Sequence, residues 1–168
     1  MSHPTSASFL VEREHFVDQS NRAVYNTVIQ ATPEQVFEVL LDTAHYGQWL
    51  KGADAKLKEK DQLLQVHSHL NLKIGRWPFH VRLGIRVVEL RAPRLLTLRF
   101  YEGDFIGQME WSVRPQAQGS WVKLEWQRFY AHSWRAKCLM ALSEEWHRRL
   151  NEKWLKALKK YLEGVKKS

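Results

Sequence analysis

From Arg22 to Gln30 the chain alternates, with Tyr25, Thr27 and Ile29 on one side and Val24, Asn26 and Val28 on the other. That period predicts a first strand rich in β-branched residues. Thr32-Pro33-Glu34-Gln35 then reads as a helix start. Thr32 can cap, Pro33 suits a first turn in which its missing N–H has no partner, and Gln35 completes a capping box. Val36, Phe37, Leu40, Leu41 and Ala44 supply the buried face of this helix. Asp42-Thr43 predicts the cap of a second, shorter helix running through Tyr46 to Trp49 and ended by Gly52.

Beyond Gly52 the period becomes two. It predicts strands at 53–59, 62–70, 79–90, 94–101, 105–114 and 120–130. Turn signals separate them at Lys60-Asp61, Gly75 to Pro78, Ala92-Pro93, Glu102 to Asp104 and Pro115 to Gly119. Phe79, Val81, Leu83, Ile85 and Val87 share one face, with His80, Arg82 and Arg86 opposite. Leu96, Leu98 and Phe100 point inward next, followed by Phe105, Gly107, Met109, Trp111 and Val113. Keeping those two sets on one face requires a two-residue turn around Gly103, since an odd loop would flip a strand. Val122, Leu124 and Trp126 turn inward in the last strand, and by the same parity so do Arg128 and Tyr130.

Between 134 and 166 the period lengthens again. Leu139, Leu142, Trp146, Leu150, Trp154, Leu158, Tyr161 and Val165 recur in steps of three and four, one stripe of a long helix. Arg148, Arg149, Lys153, Lys156, Lys159 and Lys160 occupy the other face, and Gly164 sits where the helix would stop. A stripe this wide must lie on another element. The element order therefore predicts an α+β domain, with a curved seven-stranded antiparallel sheet under a long C-terminal helix. Residues 1–20 show no period and form an N-terminal extension of unknown structure, with 21–168 as a single domain.

Length and composition add limits. The chain has 168 residues, enough for a core without staples, and its one cysteine, Cys138, can form no internal disulfide. Met1 to Ser8 lack the pattern of a signal peptide, and no apolar run approaches the roughly 20 residues that cross a bilayer. A cytoplasmic protein is expected, or one peripheral at a membrane. The formal charge of +8 favours anionic partners such as an acidic membrane surface or a ribosome, reached through the basic face of the last helix. No specific DNA binding is expected. Eight tryptophans in this length suit both a core and a pocket for bulky apolar ligands.

Ala31-Thr32-Pro33-Glu34-Gln35-Val36-Phe37, the later Asp42 and Tyr46-Gly47-Gln48-Trp49, taken with the element order, resemble the helix-grip superfamily. That group, also called SRPBCC, holds START lipid-transfer domains, polyketide cyclase/dehydrase-like proteins and pollen-allergen-type carriers. The resemblance covers about residues 22–165. It implies a bent sheet gripping the terminal helix, two short helices closing one end, and a hydrophobic space between. Carried over residue by residue, Leu83, Ile85, Leu98, Phe100, Phe105, Gly107, Met109, Trp111 and Trp126 would line that space. Leu139, Leu142 and Trp146 would face them from the helix, with Trp49 near the mouth. Gly107 would leave a dent in the wall, or else accommodate a close-packed tryptophan or a kink in the sheet. Arg128 and Tyr130 would offer head-group contacts, unless the strand ends before Arg128 and leaves it exposed or paired with Glu144 or Glu145.

Three function classes follow. The first is a non-enzymatic carrier of a hydrophobic small molecule or lipid, with no cofactor. A polyketide cyclase or dehydratase is the second, and needs a proton-transfer group such as Tyr130 or an inward histidine. The third is a ribosome- or membrane-associated module. His67, His69 and His80 have the residue types of a metal site, but His67 and His69 share a face with Gln65 and His80 shares one with Arg82 and Arg86, the solvent side of the sheet, where cationic neighbours oppose a metal ion. Glu110 and Glu125 lie on the polar face with Arg99 and Lys123, where cross-strand ion pairing is the plain expectation.

Overall fold

The computed structural model describes residues 22–50, 55–75, 80–142 and 144–165, without the side chains of 139–142, 144, 146 and 165. β1 (Ala23–Ile29) leads into α1 (Pro33–Leu41) through the expected capping box. The Gln35 amide donates to Thr32 Oγ1 at 3.3 Å and the Thr32 amide to Gln35 Oε1 at 3.0 Å. Asp42 caps the next turn by accepting from the Ala44 amide at 2.9 Å, and a 3-10 turn (Thr43–His45) passes into α2 (Tyr46–Trp49). Gly52, the expected stop of this helix, lies outside the described residues.

Six strands follow: β2 (Ala55–Leu57), β3 (His69–Ile74), β4 (Val81–Arg91), β5 (Leu95–Gly103), β6 (Phe105–Gln116) and β7 (Gly119–Ala131). With β1 they make one antiparallel sheet in the order β1-β7-β6-β5-β4-β3-β2. Helix follows on both sides of residue 143, as α3 (Trp134–Leu142) and α4 (Glu144–Val165), over the span expected of the long terminal helix; residue 143 itself lies outside the described residues, as do 166–168. The architecture is the helix-grip α+β fold, a curled seven-stranded half-barrel around the C-terminal helix.

Alternation fixes which face of each strand is buried. Val81, Leu83, Ile85 and Val87 are buried on β4, Leu96, Leu98 and Phe100 on β5, and Met109, Trp111 and Val113 on β6. Phe79, assigned to the same face, lies outside the described residues, as do Ala53 and Asp54 at the head of the expected second strand. On α4 the residues Leu150, Trp154, Leu155, Leu158 and Leu162 are buried against the sheet. Lys159 Nζ donates to the Val28 carbonyl at 2.5 Å and the Gln30 amide to Glu163 Oε1 at 3.0 Å, which ties the helix to β1.

Two expectations fail for identifiable reasons. The strand expected at 62–70 is a loop over most of its length, and the strand is His69–Ile74. Backbone bonds of the loop go to the end of α1 instead: the Leu64 amide donates to Leu41 O at 2.8 Å and the Thr43 amide to Gln62 O at 2.9 Å. The second failure is at the end of β7. Its register against β6 shifts between Ile106 and Gln108, because Arg128 and Phe129 together lie opposite Gly107. Arg128 takes a left-handed φ of 50°, the extra residue of a β-bulge. Counted across the bulge, parity inverts, so Phe129 is buried while Arg128 and Tyr130 face out.

Glycine is required on both sides of this region. A Cβ on Gly107 would lie 2.9 Å from the Arg128 carbonyl and from Phe129 Cα, so the bulge fills the space the missing side chain leaves. Gly103 has a φ of 104°, and a Cβ there would meet the Arg82 carbonyl at 2.2 Å. The Phe100↔Gly107 and Leu98↔Met109 pairs centre the β5–β6 hairpin on Gly103-Asp104, the parity expected of it.

Candidate functional site

The concave face opposite α4 carries most of the side chains that the sequence assigns to a ligand wall. Leu83, Ile85, Leu98, Phe100, Phe105, Met109, Trp111 and Trp126 are all buried there, and Trp49 is buried on α2. Met109 and Trp126 are direct cross-strand partners, as are Leu98 and Met109. Phe100 stacks on Trp126 with centroids 5.1 Å apart, and Phe105 stacks on Phe129 at 4.6 Å. Trp126 meets Phe129 edge-on at 4.7 Å, which joins the two stacks. Phe129 holds the place the alternation gave to Arg128 and Tyr130. Those two belong to the outer surface, and Gly107 is no dent but the contact point of the bulge. Leu139, Leu142 and Trp146 have side chains outside the described residues.

Facing the aromatic wall is a polar cluster the alternation did not single out. Asn151, on α4, is fully buried. Its Oδ1 accepts from Trp126 Nε1 at 2.6 Å and its Nδ2 donates to the His147 carbonyl at 2.7 Å, one turn back. His147 has its ring 5.1 Å from both Trp126 and Phe129, and its Nδ1 lies 3.3 Å from the Tyr25 hydroxyl on β1. Burial pushes the His147 imidazole down to about 4, so it is neutral at pH 7. Burial, reinforced by the charge of Glu152, pushes the Tyr25 hydroxyl up to about 12. The pair is therefore an uncharged donor and acceptor inside an apolar wall. Its signal in the sequence is the 4-3-4 spacing of His147, Asn151, Trp154 and Leu158, which puts two polar residues on the inner stripe.

Two buried indole donors belong to the interior. Trp49 Nε1 and Trp154 Nε1 have no hydrogen-bond partner among the described residues, although both side chains are buried. An unmade bond to a buried group costs about 1–3 kcal/mol. Tyr46, next to Trp49 with ring centroids 5.2 Å apart, is satisfied by the Leu40 carbonyl.

The remaining polar candidates lie on the outer face. His69 Nδ1 is 3.2 Å from the Tyr101 hydroxyl and its Nε2 is 3.3 Å from Arg86 Nη2, so its ring is engaged away from His67 and His80. Glu125 is buried and accepts from Arg22 Nε and Lys123 Nζ at 2.7 Å and from Gln127 Nε2 at 2.9 Å. Burial alone would raise its carboxyl, but those three bonds outweigh it and hold the group at about 2. Glu110, its cross-strand partner, lies 3.7 Å from Lys123 Nζ and accepts from the Ser112 hydroxyl at 2.9 Å. This is the ion pairing expected of that face.

Comparison with known proteins agrees with the geometry. A family model described as polyketide cyclase / dehydrase and lipid transport matches residues 21–163. A crystal structure of a protein from Chromobacterium violaceum superposes with a TM-score of 0.66 at 19% identity, covering 85% of this chain and 97% of that one. A Rhodobacter sphaeroides protein superposes with a TM-score of 0.66 at 18% identity over 86% and 93% of the two chains. A Thermus thermophilus protein does so with 0.66 at 17% identity over 86% and 98%. At these identities the likeness is one of fold. No curated protein matches the chain. No helix among the described residues is long and apolar enough to cross a membrane.

Proposed function

The chain belongs to the polyketide cyclase/dehydrase and lipid transport family, and from that premise we propose that it binds a hydrophobic small molecule or lipid between the concave sheet and α4. The observation that carries this reading is the pair of buried indole N–H groups, Trp49 and Trp154, left without acceptors among the described residues. A ligand with a carbonyl or ether oxygen would relieve them, while its apolar body would face Phe100, Trp126 and Met109. Burial of such a body contributes about 25 cal/mol per Å² before the costs of association. The test is native mass spectrometry of freshly purified protein, followed by organic extraction and rebinding of what is released. Trp154→Phe and Trp49→Phe keep the ring and remove the donor, and each is expected to weaken rebinding about five- to tenfold. A protein that carries no apolar molecule and gives no saturable binding of an anilinonaphthalene dye would sink the proposal.

A second reading rests on the Tyr25–His147 pair: proton transfer on a polyketide-like substrate, as in a cyclase or dehydratase. A neutral imidazole can take a proton and a protonated phenol can give one, 3.3 Å apart. His147→Gln and Tyr25→Phe would then abolish turnover while leaving ligand affinity near its original value. Equal losses of both would return the pair to a binding role.

A further inference from the structure

The outer face of β2, β3 and β4 carries a feature the interior does not explain. Lys56 stands directly opposite Lys73, and Lys73 directly opposite Arg82, so three cations lie in one row across three neighbouring strands. Directly opposed like charges destabilise a sheet. All three side chains are exposed, and none of them forms an ion pair among the described residues. The cations of α4 are better matched: Arg148 pairs with Glu145 and Glu152, Arg149 with Glu145, and Lys159 with Glu163.

The row lies in a concavity. A trough of about 530 Å³ is lined by Lys56, Lys58, Lys73 and Arg82, with Gly84, which has no side chain, in its wall. Arg82 and Gly103 also line an adjoining hollow of about 430 Å³ that holds His80, Asp104 and Arg135. Five cations thus border the two spaces, against the carboxylates of Glu102 and Asp104. Asp104 is already engaged, accepting from the Arg82 amide at 2.7 Å and from the Ser133 hydroxyl. Glu59, beside the trough, is held by the amide and side chain of Asn71 at 2.6 and 2.7 Å. The His80 Nδ1 in the hollow is buried without a hydrogen-bond partner among the described residues.

We propose that this trough is a binding site for a phosphate-bearing anion, received by the row Lys56, Lys73 and Arg82. Strands lie about 4.8 Å apart, so the row spans roughly 10 Å, which fits an anion with charge on more than one phosphate better than a single carboxylate. Arg82 supplies the planar fork that binds phosphate through two N–H groups, and the two lysines add point charges. Such an anion would also remove the like-charge opposition along the row.

The full chain is titrated at low ionic strength with inorganic pyrophosphate while backbone amide resonances are followed. A second arm uses phosphatidylcholine vesicles with and without phosphatidic acid. Expected are shifts confined to β2–β4, an affinity that falls steeply with added salt, and a loss of about tenfold in the K73Q/R82Q double variant. K156Q/K160Q on α4 removes the same net charge and should bind within about twofold of the original. Thermal unfolding reports whether each variant is folded, and K73Q/R82Q should melt no lower than the parent. Pyrophosphate binding lost in K73Q/R82Q assigns the site to free phosphate compounds, and vesicle binding alone, lost in the same variant, assigns it to a lipid head group. No binding in either arm, or equal losses in the two double variants, overturns the proposal.

Discussion

On the β1–β7–β6 flank of the sheet one cluster of outward charges is matched. Glu125 sits among Arg22, Lys123 and Gln127, and Lys123 reaches Glu110 on the next strand. On the β2–β3–β4 flank the outward charges in the row repeat the same sign, Lys56 to Lys73 to Arg82. Both flanks use the same element of structure, an antiparallel ladder with one face turned out. The charges of the first flank's cluster contribute to folding, because both carboxylate oxygens of Glu125 meet a donor. Those of the second oppose folding slightly, so their use lies outside the folded chain itself. Charge on a sheet surface is thus read through its register, and total charge says little about which part is for a partner.

The largest effect that tests this contrast is at Glu125. Its folded carboxyl titrates at about 2 rather than the ordinary 4.5, so its stabilisation is complete above pH 4.5 and is lost as pH falls toward 2. The linked loss is roughly 3 kcal/mol, and Glu125→Gln should remove that acid dependence while costing about 2 kcal/mol near neutrality, both read by urea unfolding. A Glu125→Gln protein as stable as the parent would mean that the matched flank does not serve the fold.

His147 gives the next effect and must be separated from it. Its folded imidazole lies near 4 against an ordinary 6.5, so the unfolded chain binds the proton first. Stability is full above pH 6.5 and falls as pH drops to 4, by roughly 2–3 kcal/mol, and His147→Gln should flatten this window while leaving the Glu125 window in place.

A smaller effect of opposite sign is expected on the other flank. Lys73→Glu converts the row into two matched pairs and should stabilise the protein by about 0.5–1 kcal/mol at low salt, an advantage that added salt reduces. Destabilisation by Lys73→Glu would show that the row is not opposed to folding. Arg22→Gln should have the smallest effect, about 0.5 kcal/mol, because half of that side chain's surface is in water and Lys123 and Gln127 still hold Glu125.

Much of the fold is legible in the sequence because its signals are local. Thr32 and Gln35 cap a helix within one turn of chain, and the alternation through Leu83, Ile85, Leu98, Phe100, Met109 and Trp126 follows the pleat of single strands. The candidate interior was legible to the same extent and failed where the pleat is interrupted. Counting in twos places Arg128 and Tyr130 inward, through a bulge that no local signal marks. The strand at 69–74 has no clear start in the sequence because the loop before it also holds apolar residues, Leu64 buried against α1 and Leu63 and Val66 exposed. His147 and Asn151 are polar residues on an apolar stripe, and their partners are defined only once β1 and β7 lie beside α4. The row of cations needed the pairing of three strands, which a single sequence does not state.

The bulge at Arg128 has a genetic consequence. β7 reads as one wave carrying a single added beat, and removing that residue would bring Trp126, Gln127, Phe129, Tyr130 and Ala131 back into phase with no side chain changing sides. A chain lacking Arg128 would no longer press its main chain against Gly107, and position 107 should then tolerate alanine. Deletion at one site should thus suppress a lesion at the other, a pairwise dependence between residues that neither strand displays when scanned alone.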